Sequence, residues 1–120
     1  MTTNFTPAQL VDAASDLLAR PGAPVTASYP RAAALLARQA LEARVQREWQ
    51  ATEVSLAETN MANQFHALCQ LRNAEIAGMA HETWSALSHA CHHHPFDLSP
   101  TVSELKPLID TVRTLIAASW

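Results

Sequence analysis

The stretch Ser28-Tyr-Pro-Arg31-Ala-Ala-Ala-Leu-Leu-Ala-Arg38-Gln-Ala-Leu-Glu42-Ala-Arg-Val-Gln46-Arg-Glu-Trp49-Gln50 decides the fold. It contains no glycine, and alanine, leucine, glutamine, glutamate and arginine are all strong helix formers. Pro30 falls in the first turn, where its missing N–H costs nothing, and Ser28 is placed to cap. At roughly 100° per residue, Ala32, Leu36 and Ala43 fall on one face, and Ala34, Leu41 and Val45 on another. Between them runs a stripe of Arg31, Leu35, Arg38, Gln39, Glu42, Gln46 and Trp49. Arg44, Arg47 and Glu48 lie on the far side and read as solvated charge. A helix apolar on two faces is touched from both sides, so residues 29–50 are expected to form a central rod.

The flanking sequence supplies the helices that surround it. Thr6 followed by Pro7 opens a helix over 7–20, whose Leu10, Val11, Ala14, Leu17 and Leu18 make one stripe. Pro21, Gly22 and Pro24 end it and begin a loop. Residues 51–60 read as a frayed end and a turn. Helical pattern returns over 61–72 and, after a pause near Arg72-Asn73, over 74–92, where Ile76, Ala80, Trp84, Leu87 and Cys91 form a seam. Pro95 stops that helix. The capping box Thr101-x-x-Glu104 opens the last one, 102–118, with Pro107 predicting a kink or a later start. The expectation is an all-α, single-domain antiparallel bundle of four to five helices over residues 1–120.

Composition narrows the function classes. The chain has 120 residues, 48% of them apolar, so one core is affordable. Its charged fraction of 16% lies below the roughly 25% of ordinary soluble domains. Two glycines cannot build a phosphate loop or a dinucleotide fingerprint, and no other motif calls for a cofactor. A net charge of −3 sets up no strong field toward nucleic acid or anionic membrane. No stretch approaches the ~20 apolar residues of a membrane span, and no signal segment opens the chain. Two cysteines make no disulfide scaffold, so a cytoplasmic domain is expected. Low charge and a single lysine point to a surface covered by a partner or a second copy, against a compact monomer with a bland alanine surface.

Chemistry concentrates in 74–92. His81, Ser85, Ser88 and His92 fall within roughly 60° of arc, and His89 lies beside Glu82. Histidine serves as acid, base or metal ligand near neutral pH. His89 and His93, spaced i, i+4, with Asp97 beyond, amount to half a zinc site, while histidines at a helix C-terminus also simply complement its dipole. Ser85 and Ser88 lack a strand-turn-helix elbow and read as packing residues rather than nucleophiles. Metal-independent ribonuclease chemistry would need a histidine to move protons and an arginine to hold phosphate charge. Arg72 and His81 lie on opposite sides of an unbroken helix and converge only if the chain bends near Asn73 or two copies share a site. Arg31 and Arg38 are the other arginines placed to face His81 and His92, although Arg38 also stands i, i+4 from Glu42. The stripe of Arg31, Arg38, Glu42 and Gln46, with Ser85 and Ser88 opposite, is the candidate binding surface.

Two runs resemble the HEPN superfamily: Tyr29-Pro30-Arg31 through Arg38-Gln39-Ala-Leu-Glu42, and Arg72-Asn73 leading into a helix that ends Trp84-Ser-Ala-Leu-Ser88-His89-Ala-Cys-His92-His-His. The resemblance covers about residues 29–115. It implies a bundle of four or five helices that dimerises through its long central pair. It also implies nucleotide or RNA binding, a cognate protein partner, and a place in toxin–antitoxin or phage-defence systems of prokaryotes. Many members are metal-independent endoribonucleases in which four to six residues separate an arginine from a histidine. Here Arg72 and His81 would take those roles, with His92 as a further candidate, but eight residues separate the two.

Overall fold

Short polar side chains close the first turns of four helices. Thr6 accepts from the Gln9 N–H while Gln9 reaches back to the Thr6 N–H, forming the expected capping box. Asn60, Asn73 and Thr101 accept from backbone N–H groups in the same way. In this computed structural model, which describes residues 5–20, 28–92 and 100–120, the elements are α1 (Pro7–Ala19), α2 (Ser28–Thr52), α3 (Val54–Ala57), α4 (Met61–Leu71), α5 (Ala74–Cys91) and α6 (Val102–Ala117). The described residues contain no strand, and no helix among them is long and apolar enough to cross a membrane.

Among the described residues, six helices replace the four to five expected. The additional one, α3, is a single turn, and α2 runs on to Thr52. The Ala57 carbonyl at the end of α3 accepts from Gln46 Nε2 (2.8 Å) and from Gln64 Nε2 (3.2 Å). Those donors lie outside the segment, so local periodicity could not reveal the turn. The pause between α4 and α5 is where the sequence put it: Arg72 is extended (φ −132°, ψ 178°) and Asn73 restarts the helix. Pro107 lies inside α6, on its exposed side. Its ring removes an N–H partner from the Ser103 carbonyl, and Ser103 is itself an exposed residue.

α2 is the central element: it packs against all five other helices. Its buried residues are Ala33, Ala34, Ala37, Ala40, Leu41, Val45 and Trp49. The face of Ala32, Leu36 and Ala43, expected to be buried, is exposed at Ala32 and only partly covered elsewhere. The covered arc is therefore turned toward Ala33, Ala37 and Ala40, whose small side chains let neighbouring helices come close. Val11 and Ala14 of α1, Phe65 and Leu68 of α4, Ala80 and Leu87 of α5, and Leu105, Ile109, Val112 and Leu115 of α6 complete one core. Arg113 of α6 pairs with Asp12 and Ser15 of α1, tying the first helix to the last.

Candidate functional site

The C-terminal end of α5 meets the N-terminal ends of α2 and α6. The last carbonyls of a helix have no partners of their own. Arg31, from the first turns of α2, donates its Nη1 to one of them, the His92 carbonyl. This contact fixes the guanidinium and opposes the helix dipole. Arg31 Nε is shielded from water and has no acceptor among the described residues. Beside it opens a cleft of about 630 Å³, within the range of small-molecule sites. Ser85, His89 and His92 of α5 line it together with Arg31, and α6 contributes Glu104, Leu105 and Leu108.

Arg38, two turns farther along α2, behaves differently. Its Nη1 donates to Cys91 Sγ at 3.3 Å, and its Nε stands 3.9 Å from Glu42 Oε2, so the i, i+4 pair exists but is long. Arg38 Nε also makes no hydrogen bond and is shielded from water. Glu42 instead accepts from Trp84 Nε1 at 3.0 Å. Trp84 stacks on Phe65 at 4.6 Å between ring centroids, and His81 flanks both rings at 6.2 and 6.4 Å. His81 is exposed. It shares an arc of α5 with His92, but eleven residues at 1.5 Å rise separate them along the axis. The α4 side of the bundle claims one histidine and the cleft the other. Ser88 is half-buried, and its carbonyl accepts from Cys91 Sγ.

At the other end of α2 the polar groups are tied together. Gln64 Nε2 donates to Gln46 Oε1 (2.8 Å) and to the Ala57 and Thr59 carbonyls, and Trp49 Nε1 donates to the Gln64 carbonyl (3.2 Å). Gln46, read as a binding residue, is thus part of a structural knot with α3 and α4. Arg72 donates Nε to Glu48 (2.9 Å), Nη2 to Thr52 (2.9 Å) and Nη1 to the Leu71 carbonyl (3.0 Å), and lies over the Trp49 ring. The chain does bend at Asn73, yet the bend turns Arg72 toward α2, and no hydrogen bond joins it to His81.

Arg44 and Glu48, expected to be solvated, each keep only 15% of their side-chain surface. Arg44 also donates to the Ala118 carbonyl and covers the Trp120 ring. Burial raises the Glu48 carboxyl, but hydrogen bonds and charge from Arg72 and Arg44 outweigh it and hold the pKa below the usual carboxylate range.

The structure therefore brings Arg31, Ser85, His89 and His92 to one cleft, and leaves Arg38 and Glu42, His81, Gln46 and Arg72 in separate settings. His93 and Asp97 lie outside the described residues, so the metal reading built on them with His89 has no described geometry. Glu104 escaped the sequence reading because its spacing from Thr101 already explained it as a capping residue; its N–H does serve that cap. Comparison with protein-family models, with curated proteins and with solved structures gives no match.

Proposed function

We propose that this chain is a HEPN-like ligand-binding module, an antiparallel helical bundle that takes a nucleotide or RNA phosphate in the cleft between α2, α5 and α6. The observation that carries the reading is that Arg31 of the central helix shares that cleft with His89 and His92. One fixed guanidinium with two imidazoles is a donor set suited to a phosphate oxyanion. The remaining parts follow from the resemblance, a homodimer with a cognate protein partner and a setting in prokaryotic toxin–antitoxin or phage defence, and from the cysteine content, a cytoplasmic location. Exposed Phe5, Leu35 and Met79 offer apolar surface for such contacts. Titration calorimetry with nucleotides and short RNA tests the binding reading: wild type binds, and Arg31→Ala weakens binding by about tenfold or more. Light scattering at micromolar concentration tests the dimer, and a clean monomer counts against it.

A metal-independent endoribonuclease is the second reading, favoured by the same pairing of arginine and histidine. In it His92 or His89 moves the proton and Arg31 holds the phosphate charge. Arg72 is occupied by Glu48, so it takes no part in this version, and among the described residues no hydrogen bond joins His81 to an arginine. Growth arrest on induction separates the candidates. Arrest relieved by His92→Ala and Arg31→Ala, but not by His81→Ala, supports the cleft; arrest relieved only by His81→Ala overturns it.

A further inference from the structure

Beyond the reading that the cleft binds phosphate, on which this inference rests, the distribution of cations and the walls of the cleft define the size of the ligand. We infer that the site takes a single phosphomonoester carried on a compact, partly apolar body with a hydrogen-bond donor, a mononucleotide rather than a strand of RNA.

The first argument is the inventory of positive charge. A polynucleotide is held by a track of lysines and arginines, each neutralising a phosphate. This chain has eight such residues. Arg38, Arg44, Arg72 and Arg113 are all engaged with carboxylates of the same chain. Arg20, Arg31, Arg47 and Lys106 remain, and they sit on the end of α1, the two ends of α2 and the start of α6. Only Arg31 lines the cleft. One guanidinium matches one phosphate.

The second argument is what the rest of the cleft offers. Arg31 is anchored through Nη1 to the His92 carbonyl, which leaves its Nη2 and Nε edge without an acceptor among the described residues. An oxyanion entering the cleft meets the Arg31 guanidinium that lines it, held in place by the His92 carbonyl. His89 and Ser85 stand on the same α5 wall. The α6 wall is different in kind: Leu105 and Leu108 give an apolar floor, and the Glu104 carboxylate, whose Oε1 already accepts from the Thr101 hydroxyl, has its second oxygen to accept from a ligand. Polarity thus runs across the cleft, from a phosphate end to an end that accepts a ribose hydroxyl or base amine. A carboxylate on the α6 wall repels a second phosphate, which sets this site apart from a groove for a polyanion.

Titration calorimetry on the wild-type chain tests it with four probes: a nucleoside monophosphate, its nucleoside, inorganic phosphate, and an RNA of about twelve nucleotides with unphosphorylated ends. The monophosphate is expected to bind about tenfold or more tighter than each of the other three. Arg31→Ala should weaken it by about tenfold or more. Glu104→Gln should weaken the monophosphate without weakening inorganic phosphate. RNA binding tighter than the monophosphate overturns this inference but leaves nucleic-acid binding standing; inorganic phosphate binding as well as the monophosphate overturns the ligand class. No binding by any probe overturns both this inference and the reading beneath it. Should Arg31→Ala fail to fold, amide shifts of wild type on titration decide: changes centred on Ala86, His89 and Leu105 support the site, and changes centred elsewhere overturn it.

Discussion

The two ends of α2 carry the same residue types and treat them in opposite ways. At the C-terminal end, Arg44, Glu48 and Arg72 form one hydrogen-bonded chain, and both arginines lie over tryptophan rings. At the N-terminal end, Arg31 and Arg38 each hold one anchor and leave a shielded Nε without an acceptor. A shielded donor without a partner is a cost that a folded chain rarely keeps without a use. The arginines of the C-terminal end are engaged as scaffold, although Gln64 Oε1 there is also shielded and unpartnered among the described residues, and of the two arginines at the N-terminal end Arg31 lines the cleft. Charge in a half-buried setting is informative only together with its hydrogen bonds.

Substitutions should break or sharpen this contrast. Trp49→Ala empties the buried centre of the C-terminal end and is expected to cost about 3–5 kcal/mol in urea denaturation. Arg72→Ala leaves the Glu48 carboxylate half-buried with one arginine, for an expected loss of about 2 kcal/mol, and should leave the proposed ligand binding at the cleft intact. A collapse of binding in a folded Arg72→Ala protein would remove the distinction between the two ends.

The same network predicts a pH dependence. The folded-state pKa of Glu48 lies below its unfolded value. Its stabilisation is therefore complete above the unfolded value and is lost as pH falls through the folded one. Thermal unfolding of wild type and Glu48→Gln should differ most above the ordinary carboxylate range and converge as pH falls through the lowered folded-state value. A gap that stays constant down to acid would show that Glu48 acts through packing alone.

Effects on stability should be smaller at the open end. Arg31→Ala loses one helix-end contact, about 1 kcal/mol, while removing the anchor of the cleft. Arg38→Met should change stability by about 0.5 kcal/mol or less, because its ion pair with Glu42 is long and Glu42 keeps Trp84. Equal losses from Arg31→Ala and Arg72→Ala in the same denaturation series would make both ends scaffold.

Much of the frame was legible in residue order, because it depends on local rules. Thr6 with Pro7, Thr101 with Glu104 and the break at Arg72-Asn73 mark helix ends through capping chemistry that operates over three residues. The central place of α2 followed from its two apolar faces. Its exact buried arc did not, since alanine occurs all round it and the wheel cannot say which alanines meet a neighbour. Arg44 and Glu48 were misread for the same reason. A charged face looks solvated until a residue far along the chain, such as Arg72 or Trp120, comes to cover it.

Sequence alone determined that the chain is helical, where most helices start and stop, and which helix lies at the middle, since these are set by propensity, caps and period. The partner of each charged side chain was decided by tertiary structure. Arg72 went to Glu48 instead of His81, Arg31 reached across sixty-one residues to His92, and Glu104 became a wall of the cleft as well as a cap. Such pairings depend on the packing of helices distant in sequence. A pattern repeating every three or four residues carries no record of them.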